Sequence, residues 1–282
     1  MVETNRKDNE MIPKIIHYIW LGEGKKEIPA NLRSYMSSWE ILKKAGYEIV
    51  RWDENNLPID TAPESIKQAM RLKKYAFVAD YFRLKILYEQ GGIYFDTDIE
   101  VCRNFENLLN TGVLLGFIFD ASIGTAVIGA EKGHHLIHDL MNLYETAEHE
   151  MNARKNEYVL RFAMFPEKKL TNNNDLFTAY FLKKVDGFRL NGKEQHLSDI
   201  SIYPKEYFEG YTFEKRHNYS IHHCLGSWRR NSKESLWKSK IKTIAEKIPV
   251  VWTIRDMRFR RKKNMSLPFS DVYLNEINKS IK

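Results

Sequence analysis

The sequence contains few cysteines and no long apolar segment. Cys102 and Cys224 are its only cysteines among 282 residues, and they form no zinc-binding spacing and no disulfide framework. No uninterrupted apolar run approaches the roughly 20 residues of a membrane-spanning helix. The polar N-terminal residues lack the apolar core of a secretory signal. These absences argue against a disulfide-rich secreted protein and an integral membrane protein, and they predict a cytoplasmic protein, soluble or peripheral to a membrane.

Several common catalytic signatures are also missing. The chain has no GxSxG elbow, no Walker A loop and no HExxH motif, which disfavours a serine hydrolase, a P-loop enzyme and a zincin. It has no repeats and no low-complexity linker. What it does have is an excess of Lys and Arg that gives a formal net charge of +7. This charge favours anionic partners such as nucleotides, phosphates or an anionic membrane surface.

The N-terminal third alternates strand and helix patterns. The β-branched and aromatic run at Ile12–Gly22 predicts a buried strand, Ile28–Gly46 predicts a helix that ends at glycine, and Tyr47–Asp53 predicts a second strand. This order is typical of a parallel sheet with a crossover helix. Ligands bind such sheets beyond the carboxyl ends of the strands.

The rest of the chain continues the alternation. One or two helices over Glu64–Gln90 should stop at the glycine pair that follows them. Further strands are predicted at Val113–Asp120 and Ile123–Gly133 as a hairpin, helices at His134–Asn152 and Asp175–Val185, and late extended segments at Ser201–Phe208 and Asn218–Trp228. We expect one domain over residues 1–282, in three parts at 12–103, 104–230 and 231–282, of which the last is basic and helical.

The stretch GGIYFDTDIEV, from Gly91 to Val101, carries two carboxylates in an otherwise apolar run. Alternate side chains of a strand share a face, which would place Tyr94, Asp96 and Asp98 together and Ile93, Phe95 and Ile99 on the core side. Two neighbouring carboxylates repel each other and are costly to desolvate. Solvent, lysines or a divalent metal could compensate them, and Mg²⁺ and Mn²⁺ favour carboxylate ligands. A solvated strand end with two acidic residues is the alternative.

Asp80 and Arg83 form a second candidate. They stand three residues apart on the predicted helix, so their side chains are neighbours. An ordinary intrahelical ion pair would explain them. The functional alternative is a pair that grips sugar hydroxyls, because Asp accepts hydrogen bonds and Arg donates them.

Two aromatic and histidine-containing segments are further candidates. The aromatics of His17–Trp20 are typical of a strand core, or they form a platform on which a nucleobase stacks. In the segment Ile221–Trp228, adjacent histidines of a strand point to opposite faces, so at most one faces a given site. A single histidine is more often structural than a ligand. Gly226, Ser227 and Trp228 suggest a tight loop with an indole that acts as a lid.

Taken together, these stretches resemble glycosyltransferase family 32, the sugar transferases of bacterial capsular polysaccharide and lipopolysaccharide with a DXD sugar-binding region. The yeast initiating α-1,6-mannosyltransferase and the glucosylating clostridial toxins are similar more distantly. The similarity is dense over Ile12–Arg103 and returns at Ser220–Trp228. The pattern A-x-x-(S/A)-D-x-x-R-x-x-x-L-x-x-x-G-G-x-Y-x-D-x-D reads here as Ala76, Ala79, Asp80, Arg83, Leu87, Gly91, Gly92, Tyr94, Asp96 and Asp98. The usual serine before the first aspartate is replaced by Ala79.

The resemblance implies an α/β fold of the GT-A type, which is Rossmann-like and has a mostly parallel central sheet flanked by helices. It makes 12–103 the nucleotide-sugar-binding half and 104–230 the acceptor half with a closing loop. It places Trp20 against the donor base, Asp80 and Arg83 on the donor sugar, and Tyr94 beside that sugar. Its acidic pair would hold the ribose and the metal, with Asp96 acting through water and Asp98 binding the metal directly.

The resemblance also assigns roles near the C-terminal end of the match. His222 corresponds to a late metal-ligand histidine, although His223 occupies the position where relatives carry an aromatic, which leaves the choice between them open. Ser227 and Trp228 would close over the donor diphosphate.

The implied activity is a retaining glycosyl transfer that needs Mn²⁺ or Mg²⁺ and a nucleotide-sugar donor. UDP-galactose, UDP-N-acetylglucosamine, UDP-glucose and GDP-mannose all fit, with a UDP-hexose favoured. The acceptor would be a growing bacterial surface polysaccharide carried on a lipid. The basic segment Arg255–Lys263 would then dock on the anionic inner face of the plasma membrane. One alternative is an inactive donor-binding partner subunit, against which the intact acidic motif argues. A nucleic-acid-binding module has no supporting motif.

Overall fold

A computed structural model of the chain describes residues 12–22, 27–152, 154, 156–166, 170, 172–209, 218–224 and 262–281. Ser227, Trp228 and the basic residues Arg255–Arg261 lie outside the described residues, and so do their predicted roles.

The described chain contains strands and helices in alternation. The strands are β1 Ile15–Ile19, β2 Glu48–Trp52, β3 Gly92–Phe95, β4 Ile99–Val101, β5 Val113–Phe119, β6 Ser122–Ala130, β7 Glu148–Asn152, β8 Glu157–Arg161, β9 Gln195–Leu197, β10 Ile200–Tyr203 and β11 Ser220–His222. The helices are α1 Ala30–Met36, α2 Glu40–Lys44, α3 Glu64–Arg71, α4 Tyr75–Gln90, α5 His135–Glu145, α6 Asn173–Lys184, α7 Lys205–Phe208 and α8 Ser270–Ile281, with short 3₁₀ turns at Ser37–Trp39, Ile59–Thr61 and Glu106–Leu108.

Seven strands form the central sheet in the order β2-β1-β3-β6-β5-β10-β9. Five of them run in one direction, and β6 and β9 run against it. Two apolar cores lie on the two faces: α3 to α6 cover one, whereas α2 and α7 cover the other. This arrangement confirms the predicted α/β class with a mostly parallel sheet flanked by helices. The hairpin predicted for β5 and β6 is also present.

The acidic stretch is not one continuous strand. Strand β3 ends at Phe95, and residues 96–98 form a turn closed by a hydrogen bond from the Ile99 amide to the Asp96 carbonyl (3.2 Å). Ile93 and Phe95 lie in one core, as predicted, but Tyr94 is equally buried in the other. The prediction of one continuous strand is therefore wrong, because the chain turns after Phe95; both faces of β3 are covered by protein. A turn, and not strand alternation, sets the separation of the two aspartates.

Three other segments differ from the predicted elements. The helix expected over Ile28–Gly46 is interrupted by a 3₁₀ turn, where the Ser37 and Ser38 hydroxyls bond to carbonyls three residues back. Such local bonds compete with the helical ladder. The helix expected over His134–Asn152 ends at Glu145, and β7 follows because it pairs with β8. The segment predicted as extended at Ser201–Phe208 is a strand followed by a helix that begins after Pro204.

The glycine pair fixes β3 against β1. Gly91 ends α4 at φ +70° and Gly92 begins β3 at φ +100°, a region that favours glycine. A Cβ on Gly92 would lie 2.6 Å from the Ile15 carbonyl oxygen and 3.0 Å from His17 Nε2. The absence of a side chain therefore allows the close approach of the two strands.

The last described segment returns to the turn between β5 and β6. The buried side chain of Asn264 donates to Asp120 (Nδ2 to Oδ2, 2.9 Å) and accepts from the Ala121 amide (3.3 Å). Lys205 also pairs with Asp120. Phe269 is buried in the core that α6 covers. Within the described ranges, we find no helix whose length and hydropathy would let it cross a lipid bilayer.

Candidate functional site

The polar residues of the pattern meet where β3 ends. The Asp96 amide extends the pairing of β3 with β6 by donating to the Ala126 carbonyl (2.9 Å). On the other side, β1 runs parallel to β3, and Trp20 directly follows β1. The site thus lies at the carboxyl edge of the sheet, where ligands of such sheets bind.

Arg83 is the central cation of this site. Its guanidinium donates to the Asp80 carboxylate (2.8 Å) and to the Thr125 carbonyl (2.6 Å), and it lies 3.5 Å from Asp96 Oδ1. It also packs over the Tyr94 ring, 4.6 Å from the ring centroid. The Arg83 side chain is 6% exposed and that of Asp80 is 17% exposed. A solvated intrahelical pair is therefore excluded, since the pair is buried and Arg83 joins α4 to β3 and β6.

The acidic side chains of the site are held in an unfavourable environment. Burial raises the pKa of Asp80 to about 6, Arg83 lowers it, and the neighbouring charge of Asp96 raises it further. Burial likewise raises the pKa of Asp96, against the opposing effects of Arg83 and His222. Carboxylates buried in this way are compensated only partly by the cations beside them.

A histidine completes a three-residue cluster with the two aspartates. One ligand atom each from Asp96, Asp98 and His222 lie within 4.8 Å of one another, and His222 Nε2 is 3.4 Å from Asp98 Oδ1. His223 points elsewhere: its Nε2 lies 2.8 Å from Glu100 Oε2, and its ring stacks on Tyr35. The structure thus places His222, and not its neighbour, at the acidic pair.

Glu209 is the partner of this histidine. Its Oε2 lies 2.7 Å from His222 Nδ1, and the carboxylate is buried. Burial lowers the pKa of His222, but Glu209 and hydrogen bonds to Asp98 and Cys224 raise it well above the ordinary value of histidine. In the tautomer with its proton on Nδ1, that N–H donates to Glu209 and the lone pair of Nε2 is directed at Asp98.

The cluster is rich in carboxylates. Among the described residues, Asp80, Asp96, Asp98 and Glu209 lie beside the cationic groups Arg83 and His222. Two carboxylates and an imidazole are also a ligand set of the kind that Mn²⁺ accepts. The residues present therefore fit a divalent cation.

A second set of polar residues lies behind the Asp80–Arg83 pair. Tyr144 donates to Asn173 Oδ1 (3.0 Å), and Thr125 Oγ1 donates to Asn174 Oδ1 (2.7 Å). Burial raises the pKa of Tyr144 well above its usual range, the charge of Asp80 raises it further and Arg83 lowers it. The Asn173 side chain is buried, and among the described residues its Nδ2 has no hydrogen-bond partner. Asn173 and Asn174 are the first two residues of α6.

Sequence reasoning missed Glu209, Tyr144 and the asparagines of α6. The run of asparagines at 172–174 offers only a helix-start signal, which Asn172 satisfies by accepting from the Asp175 amide (3.0 Å). Glu209 stands in no motif, and its proximity to His222 arises only from packing of α7 against β11.

His17 is structural. Trp52 Nε1 donates to His17 Nδ1 (3.2 Å), and His17 Nε2 donates to the Gly91 carbonyl (2.9 Å), which together require the neutral ring. The prediction that the segment His17–Trp20 belongs to the core is confirmed for His17, which is buried. Trp20 is partly exposed at the end of the same strand, and its contact with a donor base stays a prediction.

Residues 29–114 match the family described as "Glycosyltransferase sugar-binding region containing DXD motif". The chain is 38% identical over 116 residues to the uncharacterized glycosyltransferase L373 of Acanthamoeba polyphaga mimivirus, which is 39% of this chain and 43% of that protein. It is 31% identical over 135 residues to inositol phosphoceramide mannosyltransferase 3 of Schizosaccharomyces pombe, which is 47% of this chain and 37% of that protein. The chain thus spans less than half of the length of these relatives.

Solved structures of low identity are similar as well. The PaToxG glycosyltransferase is 20% identical with a TM-score of 0.43, over 62% of this chain and 70% of that one. A glycosyltransferase involved in glycosylation of the major capsid of PBCV-1 is 15% identical with a TM-score of 0.39, over 75% of this chain and 94% of that one. The match over residues 29–114 confirms the resemblance to DXD sugar transferases in that region, and the seven-stranded, mostly parallel sheet confirms the predicted α/β class.

Proposed function

We propose that this chain, whose residues 29–114 are a glycosyltransferase sugar-binding region, is a metal-dependent, retaining enzyme that moves a hexose from a nucleotide sugar to a glycan acceptor. The observation that carries the proposal is the cluster of Asp96, Asp98 and His222 beside the buried Asp80–Arg83 pair. It combines a cation site with donors and acceptors suited to sugar hydroxyls.

The metal would be held by Asp98 and His222, with Asp96 acting through water. A bound divalent cation supplies neutralisation of the charge that builds on the departing nucleoside diphosphate. An imidazole ligand favours Mn²⁺ over Mg²⁺, because Mg²⁺ prefers oxygen ligands. Glu209 would keep the histidine ring in the orientation and tautomer that direct Nε2 at the cation.

The donor sugar would lie against Asp80, Arg83 and Tyr94. The carboxylate accepts from sugar hydroxyls, and the guanidinium, fixed by the Thr125 carbonyl, donates to them. The unpartnered Asn173 amide supports this placement, since a buried donor without a partner is costly and a polar ligand would satisfy it. Trp20, at the end of β1, would stack on the base, and Ser227 and Trp228 would close over the diphosphate.

Retention of the anomeric configuration follows from the mechanism that the family resemblance implies, in which the acceptor attacks from the face that the diphosphate leaves. The leaving phosphate then takes the proton of the acceptor hydroxyl. The donor is a UDP-hexose in this proposal, with GDP-mannose as the alternative.

The acceptor proposed here is a surface polysaccharide carried on a lipid. The fission-yeast relative is named for a lipid, inositol phosphoceramide. The segment Arg255–Lys263 holds six Lys or Arg in nine residues, interleaved with Met257 and Phe259. Such a segment is attracted to an anionic bilayer, so we propose peripheral association with the inner face of the plasma membrane.

A donor-hydrolysis screen tests the proposal. The chain is incubated with Mn²⁺ and a panel of UDP- and GDP-hexoses, and release of the nucleoside diphosphate is measured. One donor should be hydrolysed well above the others, and proton NMR of the released sugar should show the donor's anomeric configuration first. Tight donor binding without any turnover, with or without an acceptor, would instead support the inactive partner subunit.

A further inference from the structure

Cys224 lies beside the histidine of the candidate cation site. Its Sγ is 3.5 Å from His222 Nδ1, on the side of the ring away from Asp98. The residue has φ +49°, which is uncommon for a cysteine. One ligand atom each of Glu209, His222 and Cys224 lie within 4.8 Å of one another. The ring of His222 is thus placed between two groups of metal-ligating side chains.

The second group has the chemistry of a zinc site. Thiolate, imidazole and carboxylate are the ligands of tetrahedral Zn²⁺, with Zn–S near 2.3 Å and Zn–N near 2.0 Å, so sulfur and nitrogen ligands lie about 3.5 Å apart. The Sγ–Nδ1 distance already has this value. The Glu209 oxygen lies 2.7 Å from Nδ1 as a hydrogen-bond acceptor. It would move outward by a few tenths of an ångström to become a ligand.

We infer that Glu209, His222 and Cys224 form a site for a thiophilic divalent cation such as Zn²⁺, with water as the fourth ligand, and that this site excludes use of His222 by the DXD metal. A neutral imidazole has one unprotonated nitrogen. When Nδ1 binds zinc, Nε2 carries the proton and donates to Asp98. When Nε2 faces a cation at Asp96 and Asp98, Nδ1 carries the proton and donates to Glu209. Zinc binding releases the thiol proton of Cys224.

The site would make the enzyme sensitive to zinc. Mn²⁺ and Mg²⁺ have little affinity for a thiolate, whereas Zn²⁺ binds it well. Zinc at the second site would therefore withdraw His222 from the first. This consequence for turnover rests on the function proposed above, but the existence of the zinc site does not.

Thiol protection tests the site while Glu209, His222 and Cys224 are all intact. Reaction of Cys224 with a chromogenic disulfide is followed at neutral pH, with a Cys102→Ser variant used so that one thiol remains. Cys102 is also exposed and has no place in the site, which makes it a suitable background. One equivalent of Zn²⁺ should slow the reaction at least tenfold, and an equal amount of Mg²⁺ should leave it unchanged. An equal rate with and without Zn²⁺ would overturn the inference.

Zinc affinity provides the second test. Competition against a chromophoric chelator should show one site in the full chain and in Cys102→Ser, and affinity should fall by roughly 10- to 100-fold or more in Cys224→Ser. Circular dichroism checks that each variant is folded. If the chain has donor turnover, zinc should inhibit it in Cys102→Ser at concentrations that spare Cys224→Ser. Equal zinc affinity in the two variants would refute the site, whereas absent turnover with intact zinc binding would count only against the proposed function.

Discussion

Arg83 and Asp80 form an ion pair of 2.8 Å whose guanidinium is 6% exposed, and the same guanidinium donates to the carbonyl of Thr125. A helix, the strand that precedes the DXD turn and its antiparallel neighbour are therefore joined by one side chain. This buried pair lies at one side of the candidate site. Its two possible roles, in the fold alone or in binding a sugar, predict different effects of replacing Asp80.

We predict that Asp80→Asn abolishes donor turnover without weakening the fold. The folded state raises the pKa of Asp80 from 3.8 to about 6, so it holds a proton more tightly than the unfolded chain, and the free energy of unfolding falls as pH rises from about 4 to about 6. At neutral pH the ionised carboxylate thus destabilises the fold by up to about 3 kcal/mol. Urea unfolding of Asp80→Asn should show equal or greater stability, with Asp186→Asn as the exposed control. Unchanged kinetics with lower stability would mean that Asp80 serves the fold alone.

Removal of a metal ligand should stop catalysis. Asp98→Asn is expected to lower donor turnover by about a hundredfold or more, because the cation supplies several kcal/mol of transition-state stabilisation. Calorimetric titration with Mn²⁺ should show the loss of binding, while the exposed control Asp60→Asn retains it. Full turnover in excess EDTA would contradict metal dependence.

The buried His17 should make the fold sensitive to acid. Burial lowers the pKa of His17 from 6.5 to about 4, although its bond to the Gly91 carbonyl raises it in part. The unfolded chain therefore takes up a proton first, and the free energy of unfolding should fall as pH decreases from about 6.5 to about 4, by up to about 3 kcal/mol. His17→Gln should flatten the profile in this window. The control variant His138→Gln, at a partly exposed histidine, should leave the slope unchanged. If the two variants have the same slope, the acid sensitivity does not come from His17.

Alanine substitutions at two glycines should distinguish the stability cost of a positive φ from the cost of a steric clash. Gly92 (φ +100°) and Gly133 (φ +77°) both have positive φ, but a Cβ on Gly133 meets nothing within 4 Å, whereas one on Gly92 meets the Ile15 carbonyl at 2.6 Å. We expect Gly133→Ala to lose about 1–2 kcal/mol of stability. Gly92→Ala should lose a further 1–3 kcal/mol or so, since β3 is forced from β1. Thermal unfolding measures both, and equal losses would show that the strands do not approach closely.

The basic segment should bind anionic membranes. Liposome co-sedimentation of the full chain should show binding that needs anionic lipid, fades at high salt and weakens in a variant with Arg258, Arg260 and Arg261 replaced by Ala, because clustered cations gain roughly 1 kcal/mol each near such a surface. A matched variant with exposed lysines Lys183 and Lys184 and Arg161 replaced by Ala controls for net charge. Equal recovery with neutral and anionic liposomes, or no recovery with either, would rule the docking out.

The sequence was informative wherever function depends on local spacing. Three-residue spacing on a helix predicts that Asp80 and Arg83 are neighbours, and the structure confirms their pairing. The alternation of strands and helices predicts the sheet. The glycine pair at 91–92 predicts the end of the preceding helix, and α4 does end at Gln90. Asp96 and Asp98 lie together as predicted, but a turn after Phe95 brings them together, because β3 does not continue through them.

Long-range packing accounts for what the sequence did not reveal. Glu209 meets His222 because α7 packs against β11, and nothing in either segment alone indicates a carboxylate–histidine pair. The choice between His222 and His223 depends on how β11 pairs with β4, in which His222 lies opposite Ile99. Asn173 and Asn174 face the Arg83 region only after α6 packs on β6.

The pairing of β11 with β4 also has a consequence for biosynthesis. A chain is made from its N-terminus, so Asp96 and Asp98 leave the ribosome more than a hundred residues before Glu209 and His222. Until β11 docks, the acidic turn has Arg83 as its cationic neighbour and lacks the imidazole. Contacts so distant in sequence form late in folding. A nascent chain therefore completes the cluster of Asp96, Asp98 and His222 only after more than a hundred further residues have been made.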